Sequence, residues 1–284
     1  MLCVLLSFIL FFSRGLQFSL IMGNIAMCRV IPVVCMLPVV SLILCVTLTI
    51  IEDPLGLSRT HCTIPNYVPS LSASVSVGLR KRVWIASLGI TCAIRLFISC
   101  AYNKALSNFV KPSNQYLVFL LQAHYWLHLS EITCLFLLTI FTSTENFPFH
   151  RNAFALFIIS CVLFGLLDLH LLKMLRGTYA QVVRELLLYK SFKVDSIRKK
   201  RYLLTTMVFA ILLSTSCYLL HNRYCIPHLY SLFALSEHVF ILANVAFHYR
   251  IIDLIGEMPL NFIGSMIQVS FSFENVNLRN CINR

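Results

Sequence analysis

The chain predicts an all-α fold, a polytopic membrane helix bundle of about six transmembrane helices joined by short loops. Three observations carry that expectation. Of 284 residues, 58% are hydrophobic and only 12% are charged, whereas a soluble domain carries about a quarter of its residues charged. The apolar residues are gathered into runs of spanning length, about 20 residues each. The cations stand between those runs.

The runs fall at 30–51, 83–102, 116–142, 152–173, 202–220 and 228–252. Residues 26–254 therefore form one multi-pass domain, and 255–284 a cytosolic tail. Residues 1–25 form an apolar N-terminal stub. Its apolar part, 2–13, has no basic residue before it and Arg14 after it, so it matches neither a signal peptide nor a full span. It fits an interfacial stub, a seventh helix or a start-codon extension, since Met22 and Met27 would also open a plausible chain. Segment 174–201 places Val183, Leu186 and Leu187 at helical spacing among cations. It reads either as an interfacial helix against anionic headgroups or as a solvated connection.

A net charge of +12 raises nucleic acid as a partner, but no aromatic-basic platform or finger spacing accompanies it, so no nucleic acid is expected. Membrane topology explains the charge. With a cytosolic N-terminus and six helices, sixteen of the 23 Lys and Arg fall on the cytosolic side and six on the other, the bias that orients membrane proteins. Arg80-Lys81-Arg82 stands on the minority side. Both termini are then cytosolic, and the loops 52–82, 143–151 and 221–227 are lumenal. Of twelve cysteines, only Cys62 and Cys225 lie in those loops. They are the pair that this topology allows to oxidise. No CxxC or His-x-x-x-His pair stands beside them, so no metal is expected.

The lumenal stretches 61–70, 144–152 and 221–228 are rich in polar residues, and each supplies histidine: His61, His150, His221 and His228. Such histidines serve as general bases, as ligands or as interfacial caps. Charges within the spans carry more information, because an unpaired charge near the bilayer centre costs several kcal/mol. Arg95, Glu131 and Glu237 fall at similar depth, ~14–18 Å from the lumenal surface at 1.5 Å per residue. Arg95 is expected to pair with Glu131, Glu237 or both, either as a structural ion pair or as the floor of a polar intramembrane cavity. Asp168 and His170 lie near the cytosolic end of their helix and are expected to reach the interface. Asn244 and His248, four apart on one face, are expected to make interhelical hydrogen bonds. There is no Gly-x-Ser-x-Gly elbow, phosphate loop or His-Glu-x-x-His, and no His is followed four residues later by Asp.

Several stretches together resemble the Frag/DRAM/Sfk membrane family. They are His61-Cys62 with Ile64-Pro65-Asn66-Tyr67 and Pro69-Ser70; Arg95 with Ala101-Tyr102; Glu131 with Thr144-Glu145-Asn146-Phe147, His150 and Asn152-Ala153-Phe154; and His221-Asn222, Tyr224-Cys225, Glu237, Asn244 and Ala246-Phe247-His248. The likeness is greatest to a branch that acts on glycosylphosphatidylinositol (GPI) anchors and covers about residues 25–254. It implies a multi-pass protein of the Golgi, or also of the endoplasmic reticulum, required for reacylation of lyso-GPI with a saturated fatty acid. The implied partners are the GPI-anchor lipid or GPI-anchored proteins, membrane lipid and a partner enzyme if the chain only assists.

If it is itself the acyltransferase, His150 or His221 would act as general base on the glycerol hydroxyl, with Arg95, Glu131 and Glu237 shaping the cavity. His61, Asn66, Glu145 and Asn222 would form the lumenal loop motif. No cofactor is expected beyond an acyl donor such as acyl-CoA or a phospholipid. The rival expectation is a non-enzymatic modulator of membrane lipid organisation or autophagy, as other branches of the family are.

The topology is open to a direct check, since no Asn-x-Ser/Thr sequon occurs in the chain. A sequon inserted on a flexible spacer within 143–151 is expected to be glycosylated, and the same insertion within 108–114 is not. The reverse pattern would invert the orientation.

Overall fold

The computed structural model describes residues 26–53, 60–62, 64, 66–178 and 194–256. The stub 1–25 and residues 257–284 of the tail read as 255–284 lie outside it, as do Val183, Leu186 and Leu187. Six long helices dominate: α1 (Met27–Glu52), α3 (Gly78–Ser107), α4 (Gln115–Ile140), α5 (Phe147–Thr178), α6 (Val194–Tyr224) and α7 (Leu229–Tyr249). Two four-residue helices, α2 (Leu71–Ser74) and α8 (Ile252–Ile255), complete the described chain. No strand occurs among the described residues.

The long helices alternate in direction and form a closed ring in the order α1, α3, α4, α5, α6, α7, with α7 returning to α1. Because six helices make an even number of crossings, Ala26 and Gly256 finish at the same end. The Cys28 N–H donates to the Gly256 carbonyl at 2.7 Å. At the other end the 60–70 segment and the 141–146 and 225–228 turns converge, and Cys62 is bonded to Cys225 there. We refer to this as the disulfide end.

The sequence dictates which face of each helix points outward. On α1, Val33, Met36, Val40 and Ile43 are exposed, and on α5 so are Leu156, Ile159, Leu163 and Leu166. Both sets follow the three-and-four spacing of a single helical stripe. Broad apolar stripes turned away from the protein are what a bilayer requires. Five of the described helices are long and apolar enough to cross a membrane, one fewer than the six expected. The sixth, α4, has the length (26 residues) but carries His124, His128 and Glu131. All three are buried together with Leu117, Leu121 and Thr139 on its inward stripe, while Phe119 and Trp126 face out. The helix is thus apolar outside and polar inside.

The helices outrun the apolar runs. α3 begins at Gly78 rather than 83, and α6 at Val194 rather than 202. At the α6 start, Asp195 accepts ion pairs from Arg198 and Lys199, each at 2.7 Å, which suits an acid in the first helical turn. The connection read as 174–201 therefore narrows to the residues between Thr178 and Val194.

At α3, Gly78 adopts φ +58°, which only glycine enters without strain. This turns the chain from α2 into the ring and sets down the Arg80-Lys81-Arg82 cluster. Arg80 is buried, donates to Thr49 and pairs with Glu52 at 3.4 Å. Lys81 pairs with Glu145 at 2.6 Å. Two of the minority-side cations thus have a packing reason to stand where they do. Between α5 and α6 the backbones approach closely enough that a Cβ on Gly165 would lie 2.8 Å from Leu204 Cδ1.

Blocking free thiols, reducing and then labelling a second time is expected to place the second label on Cys62 and Cys225 alone. Cys62→Ser should lower thermal stability in detergent by ~2–4 kcal/mol, the usual cost of losing a disulfide. An unlabelled pair would overturn the closure.

Candidate functional site

Three polar layers are stacked along the ring, and the sequence explains how each is assembled. The first lies at the disulfide end. Pro69 and Ser70 end the extended segment, and Ser70 Oγ accepts the Ala73 N–H at 3.3 Å as the cap of α2. Glu237, eight residues into α7, accepts the Leu71 N–H at 3.3 Å, and the Tyr230 hydroxyl donates to Ser70 Oγ at 3.3 Å. The short helix is thereby fixed to α7.

His150 stands in the first turn of α5, which Asn146 caps by accepting the Phe149 N–H at 3.1 Å. Its Nδ1 donates to the Phe141 carbonyl at 2.7 Å, and its Nε2 lies 3.3 Å from Ser72 Oγ. A carbonyl can only accept, so Nδ1 carries the proton. In the neutral imidazole Nε2 is then an open acceptor aimed at a serine hydroxyl.

The remaining residues expected at this end are spread over different tasks. His61 Nε2 donates to the Asn222 carbonyl at 3.1 Å, so Asn222 contributes its backbone. His221 is fully buried beneath the disulfide, 3.3 Å from Thr60 Oγ1. His228 stacks on Tyr67 at 5.7 Å. Glu145 is exposed, and the ammonium of Lys81 holds its carboxyl below the usual carboxylate range. That contribution is present at neutral pH and lost in acid. Asn66 is buried. His150 lines the central cleft; His61 and His221 do not.

The second layer is built on Glu131, which has no exposure. Its Oε1 accepts from Arg95 Nη2 at 2.9 Å, His248 Nε2 at 2.8 Å and Asn244 Nδ2 at 3.2 Å. Arg95 therefore pairs with Glu131 and not with Glu237, which is engaged nearer the disulfide end by the α2 backbone. Asn244 also reaches Cys161 Sγ at 3.0 Å, so four helices meet here.

The third layer departs from the sequence reading. Asp168 does not reach the interface. It is fully buried and pairs with Lys200 Nζ at 2.8 Å. The Tyr102 hydroxyl donates to its Oδ1 at 2.7 Å, and His124 Nε2 lies 3.2 Å from the same oxygen. Lys200, counted in the sequence among the solvated loop cations, has no exposure and also donates to Tyr102 at 3.0 Å. A buried carboxylate demands such a partner, and α6 supplies it because the helix begins eight residues before its apolar run. His124 and His128 went unnoticed in the sequence. The signal was the spacing of His124, His128 and Glu131 along one stripe.

A cleft of about 1270 Å³, counting its open mouth, runs down the ring. Ser72, Thr142 and His150 line one part of it and Arg95, His128, Asn244 and His248 another, while most of the wall between is apolar, including Leu88, Leu135, Phe157 and Phe240.

Among the described residues, two groups have the donor types of a metal site, each with its donor atoms within 4.8 Å of one another. In one, the sulfurs of Cys62 and Cys225 beside His61 are joined in the disulfide. In the other, the Glu131 carboxylate between His128 and His248 is already answered by Arg95.

A closed ring of lipid-facing helices around a mostly apolar cleft defines a polytopic membrane protein with an internal cleft. The model of the Frag1/DRAM/Sfk1/Cwh43P N-terminal domain matches residues 27–253, and the chain belongs to this family. It is 29% identical to the Drosophila melanogaster protein named post-GPI attachment to proteins factor 2, over 75% of this chain and 79% of that one. A Caenorhabditis elegans protein of the same name is 30% identical over 75% and 79%. A Xenopus tropicalis protein named acyltransferase PGAP2 is 27% identical over 75% and 81%. No solved structure matches the chain.

Removing one partner of a buried ion pair strands the other, at ~3–5 kcal/mol. Asp168→Asn and Lys200→Met are each expected to lower thermal stability by that amount, and the pair Asp168→Leu with Lys200→Met to regain most of it. Equal loss in all three would show that the two charges do not compensate one another.

Proposed function

We propose that this protein acts in lipid remodelling of GPI anchors, restoring a saturated fatty acid to lyso-GPI in the Golgi membrane, with the disulfide end facing the lumen. The observation that carries this reading is the cleft: its wall is mostly apolar, and near the disulfide end it is lined by a histidine whose Nε2 faces a hydroxyl. A fatty chain fits the apolar part, and a glycerol hydroxyl delivered at the polar part meets a base. The names of the relatives, a post-GPI attachment factor and an acyltransferase, support the same substrate class.

In the proposed reaction a lyso-GPI headgroup, free or carrying its protein, rests against the disulfide end. Its acyl chains run into the bilayer or the cleft. The acyl donor, an acyl-CoA or a phospholipid, presents its carbonyl at His150. Nδ1 bonded to Phe141 fixes the tautomer, so that Nε2 takes the proton. Of the two candidate bases we favour His150, because His221 is buried away from the cleft and bonded to Thr60. Arg95, Glu131 and Glu237 act on the scaffold: the first two tie α3, α4 and α7 together, and the third seats α2.

The test is expression in cells lacking the endogenous remodelling factor, with the GPI lipids analysed by mass spectrometry. Wild type is expected to restore saturated chains at the glycerol. His150→Ala should lose ~10²–10⁴-fold in rate, the usual worth of a general base, at unchanged abundance. His221→Ala should lower abundance and remodelling together. Wild-type protein that reaches the Golgi at normal abundance and leaves the lipids unremodelled would overturn the enzyme reading and favour the modulator.

A further inference from the structure

We infer that Ser72 is a nucleophile, so that the acyl group is carried on the protein as a Ser72 ester between donor and acceptor. The inference rests on the acyl-transfer reading and adds a covalent intermediate to it.

The geometry has the parts that an activated serine requires: a hydroxyl within reach of a base, and a third group that orients the base. Ser72 Oγ is 3.3 Å from His150 Nε2, a contact of the loose kind found before substrate tightens a site. The Phe141 carbonyl, 2.7 Å from Nδ1, does the orienting. Both side chains are half-buried and both line the cleft.

Their supports are independent of each other. Ser72 is placed by α2, which Glu237 and Tyr230 fasten to α7. His150 is placed by α5 and the end of α4. A serine serving only as a helix surface residue has no need of such a partner, and the capping and bridging at this end are done by Ser70, Ser74 and Ser76 on backbone carbonyls and amides.

The step balances within these groups. As Oγ attacks the carbonyl of a fatty acyl ester or thioester, the Ser72 proton passes to His150 Nε2. The tetrahedral adduct breaks its bond to the leaving alcohol or thiol, which takes that proton and departs. The acyl group remains as an ester on Oγ, its chain lying along the apolar wall. The free hydroxyl of the lysolipid then gives its proton to Nε2 and attacks the ester carbonyl. The carbonyl carbon–Oγ bond breaks, and Ser72 recovers the proton.

The probe is a long-chain alkyl fluorophosphonate, which a nucleophilic serine attacks at phosphorus with loss of fluoride, whatever the natural donor. Membranes holding the full chain are treated, and the modified peptide is mapped by mass spectrometry. Label on Ser72, formed at least 10-fold more slowly in His150→Ala, is expected. Absence of label from wild type at normal abundance overturns the proposal.

Ser72→Ala in the cells lacking the remodelling factor separates this proposal from the reading beneath it. If Ser72→Ala matches wild type in abundance and restores remodelling, the nucleophile is lost and the acyl-transfer reading stands. If wild type is labelled at Ser72 but restores nothing, the nucleophile stands and the GPI reading falls.

Discussion

The Glu131 carboxylate is fully buried, and in a bilayer its charge must be answered from within the protein. It is answered from two other helices at once: by Arg95 on α3, and by His248 and Asn244 on α7. The two sites on α7 are four residues apart, one turn of helix, so both reach the same oxygen only when α7 holds one rotation and one height relative to α4. Lipid-facing stripes fix none of that, because sliding an apolar helix along another changes little where both sides are hydrocarbon. The register of the ring therefore depends on this carboxylate and on its counterpart Asp168, which ties α3, α4 and α6 to α5. The cleft is what remains between helices so registered.

The disulfide end depends on that register in turn. Glu237 lies on the same stripe of α7 as Asn244 and His248, about two turns before the first and three before the second, so placing α7 also places the acceptor for Leu71. With α2 seated and Cys62 bonded to Cys225, the chain is fastened on both sides of the stretch between them. His150 reaches the same place from the opposite side of the ring, through the turn between α4 and α5. A serine and a histidine 78 residues apart in sequence meet because two separately anchored elements end at one height.

Much of the fold was legible because a bilayer simplifies the code: apolar runs mark helices, and their lengths and order follow. The apolar pattern did not show where polar residues belong inside helices. Apolar runs stop where Arg80 or Lys200 stands, yet both are buried in helix, so the helix ends were placed too far in. The Arg95–Glu131 contact was within reach of depth counting, but counting along an axis cannot choose between Glu131 and Glu237, since tilt and rotation decide which one Arg95 meets. His150 and the cysteine pair stood out by residue type. Ser72 did not: it lies in a run of serines, two residues past the stretch that drew notice, and only the tertiary fold gives it a histidine.

The inward polarity of α4 bears on how the chain enters the membrane. A charge at mid-bilayer costs a lone helix about 2.5–3.5 kcal/mol on insertion scales, and α4 carries Glu131 with His124 and His128 on the same side. Taken alone it is the least lipid-compatible of the long helices, the one left out of the five apolar enough to span. Its immediate predecessor α3 bears Arg95, the charge that neutralises it, whereas His248 and Asn244 are made more than a hundred residues later. During synthesis Arg95 is thus the one of these partners already made when α4 leaves the ribosome, which favours entry of α3 and α4 as a hairpin with α7 joining them later.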